Sequence, residues 1–255
     1  MRNSHTARLT ACLWTGLLAL ATSTQAQVAY DKIEPGTTLT ASGIALGLFA
    51  KPIPLPEGNW AVVSRTEVDL PLTGGRSDGP SSTPRVSLTL RRLDQGDSPL
   101  FAVVVQFTPN SIPINWGNRP CTNNNPLGLV DNFNVDANVM LYACARGDAL
   151  YNLRQIVKDA PTGPDNWFKA HLSGLAPHAD ELPNSAVAVD INSNKFRGKA
   201  MNITFLLRAD ANADVNLAYR QHLQAWMHDT GLRWMKVVNN DATDLPGPAT
   251  YLASK

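Results

Sequence analysis

Four side chains in one short stretch, His171, His178, Asp180 and Glu181, carry the atoms that bind zinc: imidazole nitrogens and carboxylate oxygens. Converged on a water molecule they would support hydrolysis, with a bound metal or a carboxylate-oriented histidine drawing off the proton. Their spacing does not build such a site locally. A His-Glu-x-x-His helix places two imidazoles on one face, whereas a proline-containing segment separates His171 from His178 here. His171 also has a packing role open to it, on a helix face with Trp167, Phe168 and Leu172. The other histidine pair, His222 and His228, stands six positions apart, so a helix turns it about 240° around its axis and the two cannot share a ligand. There is no Gly-x-Ser-x-Gly elbow, dinucleotide fingerprint, phosphate loop or calcium loop, and Ser173 lies too close in sequence to His171 to make a triad. His171, His178 and Asp180 remain the catalytic candidates, and no metal set is assigned.

A second set of residues favours contact over catalysis. The irregular stretch from Asn110 to Asp131 contains Trp116, Asn118, Arg119 and Cys121 ahead of Asn123-Asn124-Asn125-Pro126. Asparagine and proline explain a loop but not its tryptophan, which either plugs the end of a core or meets a partner. Cys121 and Cys144 are expected to form a disulfide that pins this loop to a strand over Val139 to Cys144. Closing about 24 residues restricts the unfolded chain by roughly 3 to 3.5 kcal/mol in the chain-entropy model. A loop held rigid in this way suits recognition. Trp60, Trp116, Trp167 and Trp226 fall on four different expected elements and could converge around a groove.

The disulfide expectation depends on compartment. Arg2, His5 and Arg8 precede an apolar run from Leu9 to Ala21, and small residues follow to Ala26, the layout of a cleaved signal peptide. The run is about 13 residues, short of the roughly 20 that span a hydrocarbon core. Residues 1–26 are therefore read as a signal peptide and 27–255 as one domain, periplasmic or secreted, with no later transmembrane segment. Loss of Arg2 and Arg8 turns the 22 basic residues into 20 against 21 acidic ones, about −1 overall. No basic stripe remains to attract nucleic acid.

The elements that must position these residues are mostly strands. Arg85 to Thr108 reads as a hairpin: Val86, Leu88 and Leu90 alternate with Ser87, Thr89 and Arg91, and Phe101, Val103, Val105 and Phe107 alternate with Ala102, Val104 and Gln106. Trp60 to Leu70 is an earlier strand with Trp60, Val62, Ser64, Thr66 and Val68 on one face. Ala186 to Ile191 and Met201 to Arg208 form a second antiparallel pair. Between the pairs, residues 149–158 suit a short helix or strand, and Trp167 to Leu172 a helix, leaving His178 and Asp180 in a loop. Val215 to Thr230 is the clearest helix, with a stripe of Val215, Ala218, Tyr219, His222, Leu223 and Trp226, a left-handed stop at Gly231, and a final strand over Leu232 to Val238.

These patterns predict an α+β fold: a predominantly antiparallel sheet with helices from the second half packed against it. The functional expectation is a soluble, non-catalytic binding or envelope-assembly protein without a cofactor, contacting a protein or envelope component through Trp116, Asn118 and Arg119; a small-molecule ligand is the other choice. Two further classes compete: an extracytoplasmic hydrolase at the histidine/carboxylate cluster, and a structural subunit of an envelope assembly.

Overall fold

The computed structural model describes residues 28–40, 43–46, 51–71, 82–94, 98–109, 121, 127, 129–135, 141–159, 172–195, 200–209 and 216–248. The expected leader, Trp116, Asn118, Arg119, Trp167 and His171 lie outside them.

The fold is α+β, built on one eight-stranded antiparallel sheet. Its strands are β2 (Thr38–Leu39), β4 (Trp60–Pro71), β5 (Ser82–Arg92), β6 (Leu100–Phe107), β7 (Leu129–Val135), β8 (Leu141–Leu150), β9 (Ala186–Lys195) and β10 (Ala200–Arg208), in the order β2-β4-β5-β6-β10-β9-β8-β7. Two meanders, β4-β5-β6 and β7-β8-β9-β10, are joined side by side where β10 pairs with β6. A separate two-residue parallel pair joins β1 (Val28–Ala29) to β3 (Ile44–Ala45).

Both expected hairpins are present, and Ala186–Arg208 pairs as predicted, from Ala200 opposite Asn194 to Arg208 opposite Ala186. The alternation is broken at two bulges. Opposite Leu206 and Leu207 stand Ala102 and Leu100, so Phe101 is the extra residue; it turns with Ala102 to the opposite side from Val103 and Val105. In β4 the register steps from Val62 to Ser64, which leaves Trp60 and Val62 on one face and moves Ser64 and Thr66 to the other. An extra residue in one strand reverses the side of everything beyond it.

One sheet face carries the main core. Val86, Leu88, Leu90, Val103, Val105, Phe107, Ile203, Phe205, Val189 and Ile191 meet Ile33, Leu39, Ile53 and Leu55 from the N-terminal segments and the long helix α2 (Leu217–Val238). Asn216 caps α2 by accepting from the Tyr219 N–H at 3.0 Å, satisfying one of the donors a helix start leaves unpaired. Trp226 meets Phe205 edge-on at 5.1 Å between ring centres, and Trp234 donates its indole N–H to Ser193 Oγ at 3.0 Å. Edge-on contacts of this kind contribute about 0.5–1.5 kcal/mol beyond the area they bury.

The helix corrects three sequence expectations. It does not stop at Gly231, Leu232–Val238 is helix instead of strand, and Ala218 is exposed while the buried stripe continues through Trp234 and Met235. Gly231 is a point of close approach: a Cβ there would come within 2.2 Å of Phe133 Cζ on β7. The strand β7 begins within the irregular stretch expected over Asn110 to Asp131. On the opposite sheet face, α1 (Leu153–Lys158) and a 3-10 helix, Ser173–Glu181, pack Leu153, Val157, Leu172, Leu175 and Leu182 over Phe101, Ala102, Ala188 and Leu206. His178 and Asp180 thus stand on a 3-10 turn and not in an open loop.

Gly231→Ala tests the approach of α2 to β7. Alanine favours a helix interior over glycine by about 1 kcal/mol, yet overpacking against Phe133 costs about 1–3 kcal/mol. Urea denaturation should show net loss of stability, restored in a Phe133→Leu background; a stabilised single variant would refute the contact.

Candidate functional site

Beyond the apolar patch under α1, the same sheet face turns polar while staying out of water. Cross-strand pairing lines up Ser87, Gln106, Asn202, Asn192 and Cys144 as one row, and Thr89, Val104, Thr204, Asp190 and Arg146 as the next. Ser87, Thr89, Gln106, Asp190, Asn192 and Thr204 are all buried, none above 7% exposed. Buried polar groups need partners, and these find them in each other.

Arg85 donates to Gln106 Oε1 at 2.5 Å, and Gln106 Nε2 donates to Ser87 Oγ at 3.1 Å. Asn202, with its carbonyl oxygen toward Arg85, accepts from that guanidinium at 3.0 Å. At the centre, Thr204 Oγ1 donates to Asp190 Oδ1 at 2.5 Å and Arg146 Nε donates to Asp190 Oδ2 at 3.2 Å. Arg146 is shared, reaching Asp148 at 3.3 Å as well. Burial pushes the Asp190 carboxyl above the ordinary carboxylate range, and the bonds from Thr204 and Arg146 oppose that without cancelling it. Burial also lowers the pKa of Arg85.

The disulfide anticipated from the cysteine count is formed, with the Cys121 and Cys144 Cα atoms 6.0 Å apart. Cys144 is a member of the first polar row, opposite Asn192, and Asn192 Nδ2 lies 4.0 Å from Cys121 Sγ. Cys121 is therefore fastened to the polar face; Trp116, Asn118 and Arg119, which precede it in the sequence, lie outside the described residues. Nothing in the sequence set these strand positions apart from ordinary solvent-facing residues. The one available signal was that Asp190, Asn192, Asn202 and Thr204 occupy alternate positions on strands with strongly apolar partners.

The histidine/carboxylate candidates are dispersed over separate partners. Asp180 takes a hydrogen bond from Lys158 of α1 at 2.9 Å, which lowers its pKa. His178 Nδ1 lies 3.4 Å from Glu181 Oε1, and the other oxygen of Glu181 accepts from Arg91 at 2.5 Å. Among the described residues no three His, Cys, Asp or Glu side chains are grouped to hold a metal ion. His228 is half exposed and has Asp131 Oδ2 at 2.6 Å from its Nδ1, a pairing made by α2 crossing β7. Trp60 and Trp226 do not line a groove: both are fully buried, with indole N–H groups donating to the Pro56 and Pro246 carbonyls.

No helix among the described residues is long and apolar enough to cross a membrane. No family model, curated protein or solved structure matches the chain.

Asp190 gives a pH test. Its raised folded pKa means that the folded state holds the proton more tightly than the unfolded chain, so the associated stability is full below the unfolded value near 3.8 and is lost as pH rises through the folded value. The stability of the wild type relative to Asp190→Asn, from denaturant titrations at successive pH, should fall from about pH 4 upward and then level off. A flat or rising difference would show that Arg146 outweighs burial.

Proposed function

We propose that this chain is an exported binding or envelope-assembly protein that acts in the periplasm or outside the cell by capture and not by catalysis. The observation that carries the reading is the Cys121–Cys144 bond, set on a sheet face whose buried polar side chains hydrogen-bond one another. Disulfides persist in oxidising compartments, and the apolar leader over residues 9–21 is the segment that would take the chain to one.

The contact surface is the segment that leads into Cys121, with Trp116 as its aromatic anchor and Asn118 and Arg119 as its polar contacts. Its footing supports that role. A loop loses less entropy on binding when one end is covalently fixed to a rigid strand. Its partner is a protein or other envelope component, or else a small ligand, and no cofactor takes part. The hydrolase alternative has less to support it, because Asp180 and His178 are each engaged by a different neighbour.

Two measurements test the proposal. Cell fractionation should recover a chain that begins at Gln27 outside the cytoplasm, with Cys121 and Cys144 resistant to alkylation until reduced. An uncleaved cytoplasmic chain with two reactive thiols would end the export reading. Trp116→Ala should leave thermal unfolding within about 1 kcal/mol of wild type, as surface changes do, while weakening capture of envelope components about tenfold or more, the loss typical of an aromatic anchor. Equal capture by the variant would reject the loop as the contact surface.

A further inference from the structure

The short strand at one end of the sheet covers only the beginning of its neighbour. β2 pairs with β4 at Trp60 and Ala61, and the Val62 N–H and carbonyl still bond to Thr37 and Gly36 at 2.9 and 2.8 Å. The bulge at Val63 follows, and bulges commonly end pairing at a sheet edge. From Ser64 to Asp69, β4 pairs on its inner side with β5, and among the described residues no strand lies along its outer side. Thr66, Glu67, Val68 and Asp69 are all exposed, Val68 at 46%.

An open strand edge is a template for another strand, and charges on it usually keep one away. Here the order of the charges discriminates between registers. When two copies of one strand pair antiparallel about a twofold axis, one residue stands opposite its own copy, and residues equally far to either side face each other. Centred on Arg65, Glu67 or Asp69, such a pair opposes like charges, and centred on Val68 it sets Glu67 against Asp69. Centred on Ser64 it opposes no charges and runs into Val62, which the β2 segment already holds. Centred on Thr66 it brings Arg65 opposite Glu67 twice and threonine opposite threonine, both favourable cross-strand pairs. Glu67 is open to such a contact: it is half exposed and meets Arg65 of its own strand through Oε2 alone, at 3.1 Å.

We infer that a second copy of this chain docks on the outer side of β4, antiparallel and centred on Thr66, joining two eight-stranded sheets across a twofold axis. The shared segment, Ser64 to Val68, is short, so the dimer is weak and reversible, in the class of interfaces below about 1,200 Å². The inference is independent of the segment that leads into Cys121 and of the compartment in which the chain works.

Sedimentation equilibrium of the chain, carried to millimolar concentration, should show monomers exchanging with dimers. Arg65→Glu and Glu67→Arg should each weaken dimerisation about tenfold or more, because both symmetry-related pairs turn repulsive. Mixed in equal amounts, the two variants should form a heterodimer as readily as wild type pairs with itself, since two glutamates on one strand then face two arginines on the other. Thr66→Cys supplies a test that leaves the charges in place: mild oxidation should cross-link it into a covalent dimer faster than Val68→Cys, whose opposite position is Ser64. A wild type that stays monomeric, or a mixture no more associated than either variant alone, overturns the proposal. Faster cross-linking through Val68→Cys overturns the register.

Discussion

The central strands β6, β10 and β9 lie in a sheet covered on both faces, so alternation does not give their polar side chains a route to water. One face is apolar and meets α2 and the N-terminal segments. The other is apolar only where α1 and the 3-10 helix cover it, and polar over the rest. An unpaired buried polar atom costs about 1–3 kcal/mol, so the polar half is tolerable only as a network in which most members have partners. Its cross-strand register supplies them: Ser87 with Gln106, Thr204 with Asp190, Asp190 with Arg146. A one-residue slip of any of these strands would turn the row over and break the network, so the polar face specifies register as strongly as the core does.

The edge of the sheet is secured by the long helix. Among the described residues strand β7 pairs on one side, with β8. Helix α2 crosses it closely because Gly231 presents no side chain to Phe133, and three polar contacts hold the crossing: His228 to Asp131, Arg220 to the Leu127 carbonyl at 2.5 Å, and Trp234 to Ser193. The last reaches through to β10, since Ser193 Oγ donates in turn to the Met201 carbonyl at 2.6 Å. A buried indole and a buried hydroxyl thus link the helix to the sheet through paired donors.

Two surfaces of different physical character result from one strand. Near the middle of β5, Ser87 and Thr89 belong to the neutral, internally satisfied face on which the Cys121–Cys144 bond is set. At its end, Arg91 and Arg92 turn to charged partners, Glu181 and Asp94.

How much of this was legible in the chain depended on the range of the interaction. The hairpin over Arg85 to Thr108, the pair Ala186 to Arg208 and the first half of α2 followed from side-chain period, and the disulfide from a count of two cysteines after the leader. Period could not locate the bulges at Val63 and Phe101, because the extra residue is defined only by its partner strand. Gly231 resembled a helix stop because glycine is common there, whereas its role was set by Phe133, distant in sequence. The histidine/carboxylate cluster was a proximity in sequence whose carboxylates took separate partners, Lys158 and Arg91. The sequence by itself determined which segments alternate and which cysteines could pair, since these depend on neighbours along the chain. Only the tertiary structure decided that a row of polar strand residues is buried and that Arg65 and Glu67 stand on an edge strand, because burial and strand pairing depend on what distant segments bring beside each residue.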